Sequence, residues 1–208
     1  MREKRVLELA GQGSGDADAI RARLLEIPQM VQAFVFENDT LLTDATGLPG
    51  KSLRAVVWDG GAGIPDATIA QVIWNNKPSG ILSFGANTAA VTDSAGNTQY
   101  VSFDRATQLT LYITCTVTPA TGVTIGATQR AAVREALYNY ALATFNLGVS
   151  VIDLPLRAAA IVPTVTVDVP TFTFDFHSTP TNTANLPVTG LQIATLATTN
   201  ISVNGSFS

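Results

Sequence analysis

The chain has 208 residues, with 12 basic and 16 acidic side chains, one His and one Cys. The net acidity argues against a nucleic-acid binder that works by neutralising phosphates, and a single Cys with a single His excludes a disulfide framework and a zinc site built from those residues. No apolar run approaches the ~20 residues of a membrane span, and Met1-Arg2-Glu3-Lys4-Arg5 leads into too short an apolar stretch for a secretory signal, so the expectation is a soluble cytosolic protein.

Residues 1–15 read as a tail or linker, weakly helical over Arg2 to Ala10 and flexible over Gly11-Gln12-Gly13-Ser14-Gly15. Asp16 is placed to cap a helix running to about Glu26, with Ile20, Leu24 and Ile27 on one face, and Pro28 stops it. A strand is predicted over Met30 to Phe36. Asn38 to Gly50 is a loop rich in Asp, Thr, Gly and Pro, and Leu53 to Trp58 reads as a strand buried on both faces. Asp59-Gly60-Gly61-Ala62-Gly63 then leads into a helix with Pro65 in its first turn and Ile69, Val72 and Ile73 as its apolar stripe, ending at Lys77-Pro78-Ser79-Gly80.

Thr88 to Val101 is a predicted hairpin turning at Asp93-Ser94-Ala95-Gly96-Asn97. Leu109, Leu111, Ile113, Cys115 and Val117 alternate with polar residues, which predicts a strand with one buried face. Thr118-Pro119-Ala120-Thr121-Gly122 is the expected domain boundary. The longest helix follows, about Thr128 to Asn146, with Val133, Leu137, Ala141 and Phe145 recurring every four residues and Gly148 as its left-handed cap. Pro155 to Ala160 reads as a short helical turn. Val165, Val167 and Val169 occupy odd positions whereas Phe172, Phe174 and Phe176 occupy even ones, so a bulge or strand change is expected at Pro170. Ile201, Val203 and Phe207 form a last alternation.

The expected fold class is therefore α+β: a linker at 1–15, a central α+β domain at 16–118, and a C-terminal α+β domain at 119–208, Thr-rich and β-rich at its end. Ile20-Arg21-Ala22 through Phe34-Val35-Phe36 also echoes Leu156-Arg157-Ala158 through Phe172-Thr173-Phe174. Duplication and chance both account for two instances.

Of the 28 charged residues, only Asp153, Arg157, Asp168 and Asp175 lie beyond Glu135, and 15 of the 46 residues from Pro163 onward are Ser or Thr. A half so poor in charge suits either a neutral Thr-rich surface or a surface buried against partners.

Catalytic chemistry is sparse. His177 and Asp175 would share a strand face, but no Gly-x-Ser-x-Gly elbow accompanies them, and the plainer reading is a surface His at the end of a β run. Cys115 reads as a small buried hydrophobe. Asp16 with Asp18 suits a helix start, and Asp93 near Asn97 suits a turn better than a calcium site, which needs more oxygens. Gly60-Gly61-Ala62-Gly63 lacks the Gly-Lys-Ser/Thr of a P-loop. Asp66 stands where a dinucleotide fingerprint has its third Gly, so phosphate binding is not expected. These readings assign no catalytic, cofactor-binding or metal-binding residues.

Gly47-Leu48-Pro49-Gly50-Lys51-Ser52-Leu53-Arg54-Ala55-Val56-Val57, then Gly60-Gly61, the helix Asp66 to Trp74, Lys77-Pro78-Ser79-Gly80-Ile81, Phe84-Gly85 and Phe103-Asp104-Arg105 form an ordered set. Together they resemble the baseplate J-like family, wedge proteins of contractile phage tails and related injection machines. The likeness runs from about Asp16 to the C-terminus. It departs where family members usually carry a further N-terminal domain, leaving a minimal member, a split gene or a fragment as readings, and in the more divergent Thr-rich end. The resemblance implies a non-enzymatic structural subunit of the virion, assembled in the host cytoplasm. Its partners would be other wedge and tail proteins in a six-fold ring around the tail tube, with no cofactor, nucleic acid or membrane. Partner contacts are expected in the loop Asn38 to Lys51 and in the neutral C-terminal half, with Gly60, Gly61 and Gly80 serving backbone geometry. The alternatives are a small-molecule or sugar-active enzyme domain using Asp175 and His177, and a tail-fibre-like adhesin module.

Overall fold

The computed structural model describes residues 16–122, 124–162 and 166–205, with the side chains of Thr166 and Val167 left aside. The N-terminal tail, Val165 and Phe207 lie outside the described residues, as does the Val167 side chain. The fold is α+β, and the chain divides into two compact units, Met1–Ala106 and Thr107–Ser208. The division falls at Ala106 and not at the expected Thr118. The alternating strand, β6 (Thr107–Pro119), pairs with two strands from the end of the chain and so belongs to the second unit. No helix among the described residues is long and apolar enough to cross a membrane.

In the first unit, helix α1 (Ala17–Leu25) buries Ile20, Leu24 and the following Ile27, as their spacing predicts. Asp16 occupies the N-cap, but its side chain makes no capping hydrogen bond; its backbone carbonyl accepts the Ile20 N–H instead. Strand β1 (Gln32–Asn38) starts two residues later than its apolar run suggests, because Gln29 adopts a positive φ of 70° and turns the chain first. Strand β2 (Ser52–Trp58) buries Leu53, Ala55, Val56 and Val57, consistent with a strand covered on both faces. Helix α2 (Asp66–Asn76) takes Pro65 as its N-cap and packs Ile69, Ala70 and Ile73 inward, with Val72 only half-buried. The short strand β3 (Leu82–Ser83) is followed by the hairpin of β4 (Asn87–Thr92) and β5 (Thr98–Arg105).

The sheet runs β1-β2-β5-β4, with β3 on β2; β1–β2 and β4–β5 are antiparallel, and β2–β5 and β2–β3 are parallel. One core unites α1 and α2 with Ala33, Val35, Leu53, Ala55, Val57, Val91, Val101 and Phe103 from the strands. Each fully buried large apolar side chain there contributes about 1.5–3 kcal/mol relative to exposure.

In the second unit β6 is the centre of a three-stranded sheet, antiparallel to β7 (Thr166–Asp175) and parallel to β8 (Gln192–Gly205). Helix α3 (Ala127–Thr144) lays Val133, Leu137 and Ala141 on Leu111, Ile113, Cys115 and Val117, and α4 (Asp153–Ala159) adds Leu156. The Gln129 side chain accepts the Gly126 N–H at the start of α3. Both edge strands change face. Between the pairs Thr116–Thr171 and Thr118–Asp168, β7 has one residue too many, so Val169 and then Phe172 and Phe174 all point inward. This is the bulge required at Pro170. Strand β8 slips by three residues between Leu111–Leu196 and Ile113–Ile201, which carries burial from Ala194 and Leu196 to Ile201 and Val203.

Gly148 has the expected left-handed φ, +73°, but it does not cap α3, whose C-cap is Phe145 in an extended conformation. Its N–H donates to the Gln192 carbonyl, and an added Cβ would stand 3.2 Å from the Gly190 Cα. Substituting Gly148→Val should therefore destabilise the second unit by about 1–3 kcal/mol, read as a lower melting temperature. An unchanged melting temperature would show that this turn relaxes freely.

The sequence echo has a local structural counterpart. The Arg21 guanidinium lies 5.4 Å from the Phe34 ring centroid, and Arg157 lies 5.5 Å from Phe172. The strands differ in setting, for Phe34 is 40% exposed whereas Phe172 is buried in the core.

Candidate functional site

At the C-terminal end of β2 the glycine loop folds around its own anion. The Asp59 carboxylate accepts the backbone N–H groups of Gly61 at 3.0 Å, Gly63 at 3.1 Å and Ile64 at 3.0 Å. Arg105, from the end of β5, donates Nη1 to Asp59 at 3.0 Å and Nε to Asp66 Oδ1 at 3.0 Å, and it also donates to the Ile64 carbonyl. Burial raises the Asp59 pKa. The amides of Ile64 and Gly61 and the Arg105 charge outweigh burial and hold it below the ordinary 3.8. The amides that could have cradled a phosphate are thus occupied by an internal carboxylate. Gly60, Gly61 and Gly80 adopt φ values of +66°, +85° and +81°, the backbone role expected of them. Sequence reasoning saw Arg105 only as part of a pattern, since its partners lie 39 and 46 residues away.

A second ion pair braces the same sheet. Arg54 Nε stands 3.0 Å from Asp104 Oδ2, both side chains mostly buried, and Arg54 lies 4.8 Å from the Phe84 ring centroid. The Arg54 N–H is not aligned on that oxygen, so the contact is coulombic and not a hydrogen bond. Asp104 Oδ1 accepts the Ala86 N–H.

The loop between β1 and β2 is the most distinctive surface feature of the first unit. Buried Asn38 donates Nδ2 to the carbonyls of Leu42 and Leu48, both at 2.8 Å, and its Oδ1 accepts the N–H and hydroxyl of Thr40. Asp44 accepts the N–H and hydroxyl of Thr46 and the N–H of Leu48, which lower its pKa, the Thr46 hydroxyl most of all. Lys51 closes the loop by donating its backbone N–H to the Thr40 carbonyl and its ammonium to the Asp39 carbonyl. Leu48 is buried beneath this network, while Leu41 and Leu42 stand 84% and 78% exposed. Two adjacent leucines are thus held in water by a self-braced loop, which is how a protein presents contact residues without the entropy cost of ordering them on binding. Leu142 on α3 and Leu154 on α4 are exposed in the charge-poor half.

The Asp175–His177 pair forms, with Nδ1 3.1 Å from Oδ1, at the end of β7. His177 is 84% exposed, and its hydrogen bond is the main cause holding the Asp175 pKa below its ordinary value. No hydroxyl or thiol stands in hydrogen-bond contact with His177 among the described residues. Asp93 accepts the N–H groups of Ala95 and Asn97 and the side chains of Asn97 and Gln99, the turn read from sequence. Cys115 is buried, and burial pushes its thiol up to about 12, so it stays protonated and unreactive in the fold. Among the described residues no group of three or more His, Cys, Asp or Glu converges.

In comparison with known proteins, no family model and no curated protein matches this chain.

Proposed function

We propose that this chain is a structural subunit of a contractile-tail baseplate, a wedge component that joins neighbouring baseplate proteins in a six-fold ring around the tail tube and performs no catalysis. The observation that carries the reading is the braced loop at 39–51 with Leu41 and Leu42 exposed at its surface. It lies in the loop Asn38 to Lys51, where the resemblance implies partner contact. The Asp59–Arg105 closure supports it as well, because it gives the glycine loop an architectural role. Exposed apolar side chains on a rigid support behave as binding anchors.

The test is affinity purification of the tagged chain from cells expressing its neighbouring genes, followed by mass spectrometry and negative-stain imaging. Tail and baseplate proteins in discrete wedge or ring particles are the expected result. The double substitution Leu41→Ser, Leu42→Ser should lower their recovery by more than about ten-fold, at an unchanged melting temperature, because it removes anchors and leaves the bracing intact. A wild-type chain recovered only as a lone monomer would overturn the reading.

The Asp175–His177 contact favours one rival, a small-molecule or sugar-active enzyme domain. In the wedge reading His177→Ala leaves assembly and melting temperature unchanged, since so exposed a pair adds under about 1 kcal/mol. Activity of the wild type on a panel of small-molecule and sugar substrates, lost by orders of magnitude in that variant, would establish the rival. Binding to host glycans would point instead to an adhesin.

A further inference from the structure

The second unit contains seven charged side chains, three of them arginines. Arg157 pairs with Asp153 at 3.4 Å, whereas Arg130 and Arg134, one turn apart on α3, form no ion pair among the described residues. Neither is idle surface charge. Arg130 Nε is sealed from solvent without a hydrogen-bond partner, and Arg134 Nε donates to the Ile201 carbonyl at 3.1 Å. That carbonyl sits where β8 resumes pairing after its three-residue slip. The slip takes Thr198 and Thr199 out of the ladder and opens a groove of about 450 Å³ against α3, lined by Ala131, Arg134, Glu135, Thr198, Thr199 and Ile201.

We propose that this groove binds a carboxylate, an acidic side chain presented by a segment of a partner protein. With Nε fixed on Ile201, the guanidinium of Arg134 is held in one orientation, and its terminal amines have no partner among the described residues. A planar fork held in this way matches a carboxylate. The Thr198 hydroxyl adds a donor, that of Thr199 being directed at Asn200 Oδ1, and Ala131 and Ile201 supply an apolar wall for the methylenes of an acidic side chain. The carboxylate of Glu135, which also lines the groove, repels a doubly charged phosphate more than a singly charged carboxylate, and it can accept an N–H from the incoming backbone. The site rests on the assembly reading only for the source of the segment.

The full chain is titrated, under heteronuclear NMR, with a blocked Gly/Ser peptide carrying one central glutamate, with its glutamine counterpart, and with inorganic phosphate. The glutamate peptide should shift the Arg134 Nε–H and the Thr198 and Thr199 amides with a millimolar dissociation constant, and the glutamine peptide should bind at least about ten-fold more weakly. Arg134→Lys keeps the charge and loses the fork, so it should weaken glutamate binding by a similar factor while the fold persists. If that variant fails to fold, Thr198→Val carries the test, with weaker glutamate binding expected. No shift with the glutamate peptide, equal response to both peptides, or tighter binding of phosphate overturns the proposal. Peptide binding by a chain that recruits no tail proteins would sink the assembly reading and leave the site standing. Recruitment with no peptide response would do the reverse.

Discussion

Asp59→Ala will lower the stability of the first unit by about 2–4 kcal/mol, because one substitution orphans several donors at once. The carboxylate serves the Gly61, Gly63 and Ile64 amides and Arg105 together, and its side chain is only 8% exposed. Water can reach the glycine amides once the carboxylate is gone. It reaches the buried Ile64 amide far less easily, so that donor and the half-buried Arg105 account for most of the loss. Asp59→Asn retains a carbonyl acceptor and should cost less. Combined with Arg105→Leu, the two losses should fall short of additivity by about 1–2 kcal/mol. The acid side of the stability profile supplies a further check. The folded pKa of Asp59 lies below the ordinary 3.8, so its contribution is complete above that value and is lost as the pH falls through the lowered folded value. Denaturation midpoints of wild type and Asp59→Ala should therefore converge in strong acid. A gap that stays constant would mean that the ionised carboxylate is not what stabilises the loop.

Gly50→Ala will dismantle the leucine platform without touching either leucine. An added Cβ at Gly50 would stand 2.5 Å from the Leu41 carbonyl carbon and 2.9 Å from the Leu42 nitrogen, inside contact distance of the Leu41–Leu42 peptide group. Backbone cannot rotate away as a side-chain tip can, so the loop must open, at a cost of about 2–3 kcal/mol. Hydrogen exchange should accelerate at the amides of Thr40, Leu42 and Leu48, which the Asn38, Thr40 and Asp44 side chains now hold. Partner recovery should fall as far as in the double serine variant, although both leucines remain. Undiminished recovery would separate loop rigidity from binding.

The periodic elements were legible because burial imposes period on sequence. Val133, Leu137 and Ala141 mark the long helix, and the odd-to-even change at Pro170 marks the bulge, since a single missing or extra residue inverts every later side chain. The slip in β8 was not legible, because Ala197-Thr198-Thr199-Asn200 contains no large apolar residue to show which face it serves. The unit boundary was missed for a related reason. Only Ala106 separates β5 from β6, with no compositional change, while Thr118-Pro119-Ala120-Thr121-Gly122 reads like a linker and in fact ends a strand. Gly148 sat near enough to the helix end to pass for its cap, and only the extended Phe145 reveals the difference. The Arg105 bridge is a long-range pairing of charges, for which sequence carries no periodicity. Leu41-Leu42 in a polar loop was a local hint of surface that the fold leaves exposed.

The broken edges of the second sheet bear on how such a protein survives crowding. A three-stranded sheet has two open margins, and a long straight margin templates fibril growth by accepting strands from neighbouring molecules. In this chain one margin carries a proline-centred bulge and the other a three-residue slip, so neither offers an unbroken register to an arriving strand. Any protein at high local concentration meets its own copies constantly. Interrupted margins oppose strand addition in such encounters.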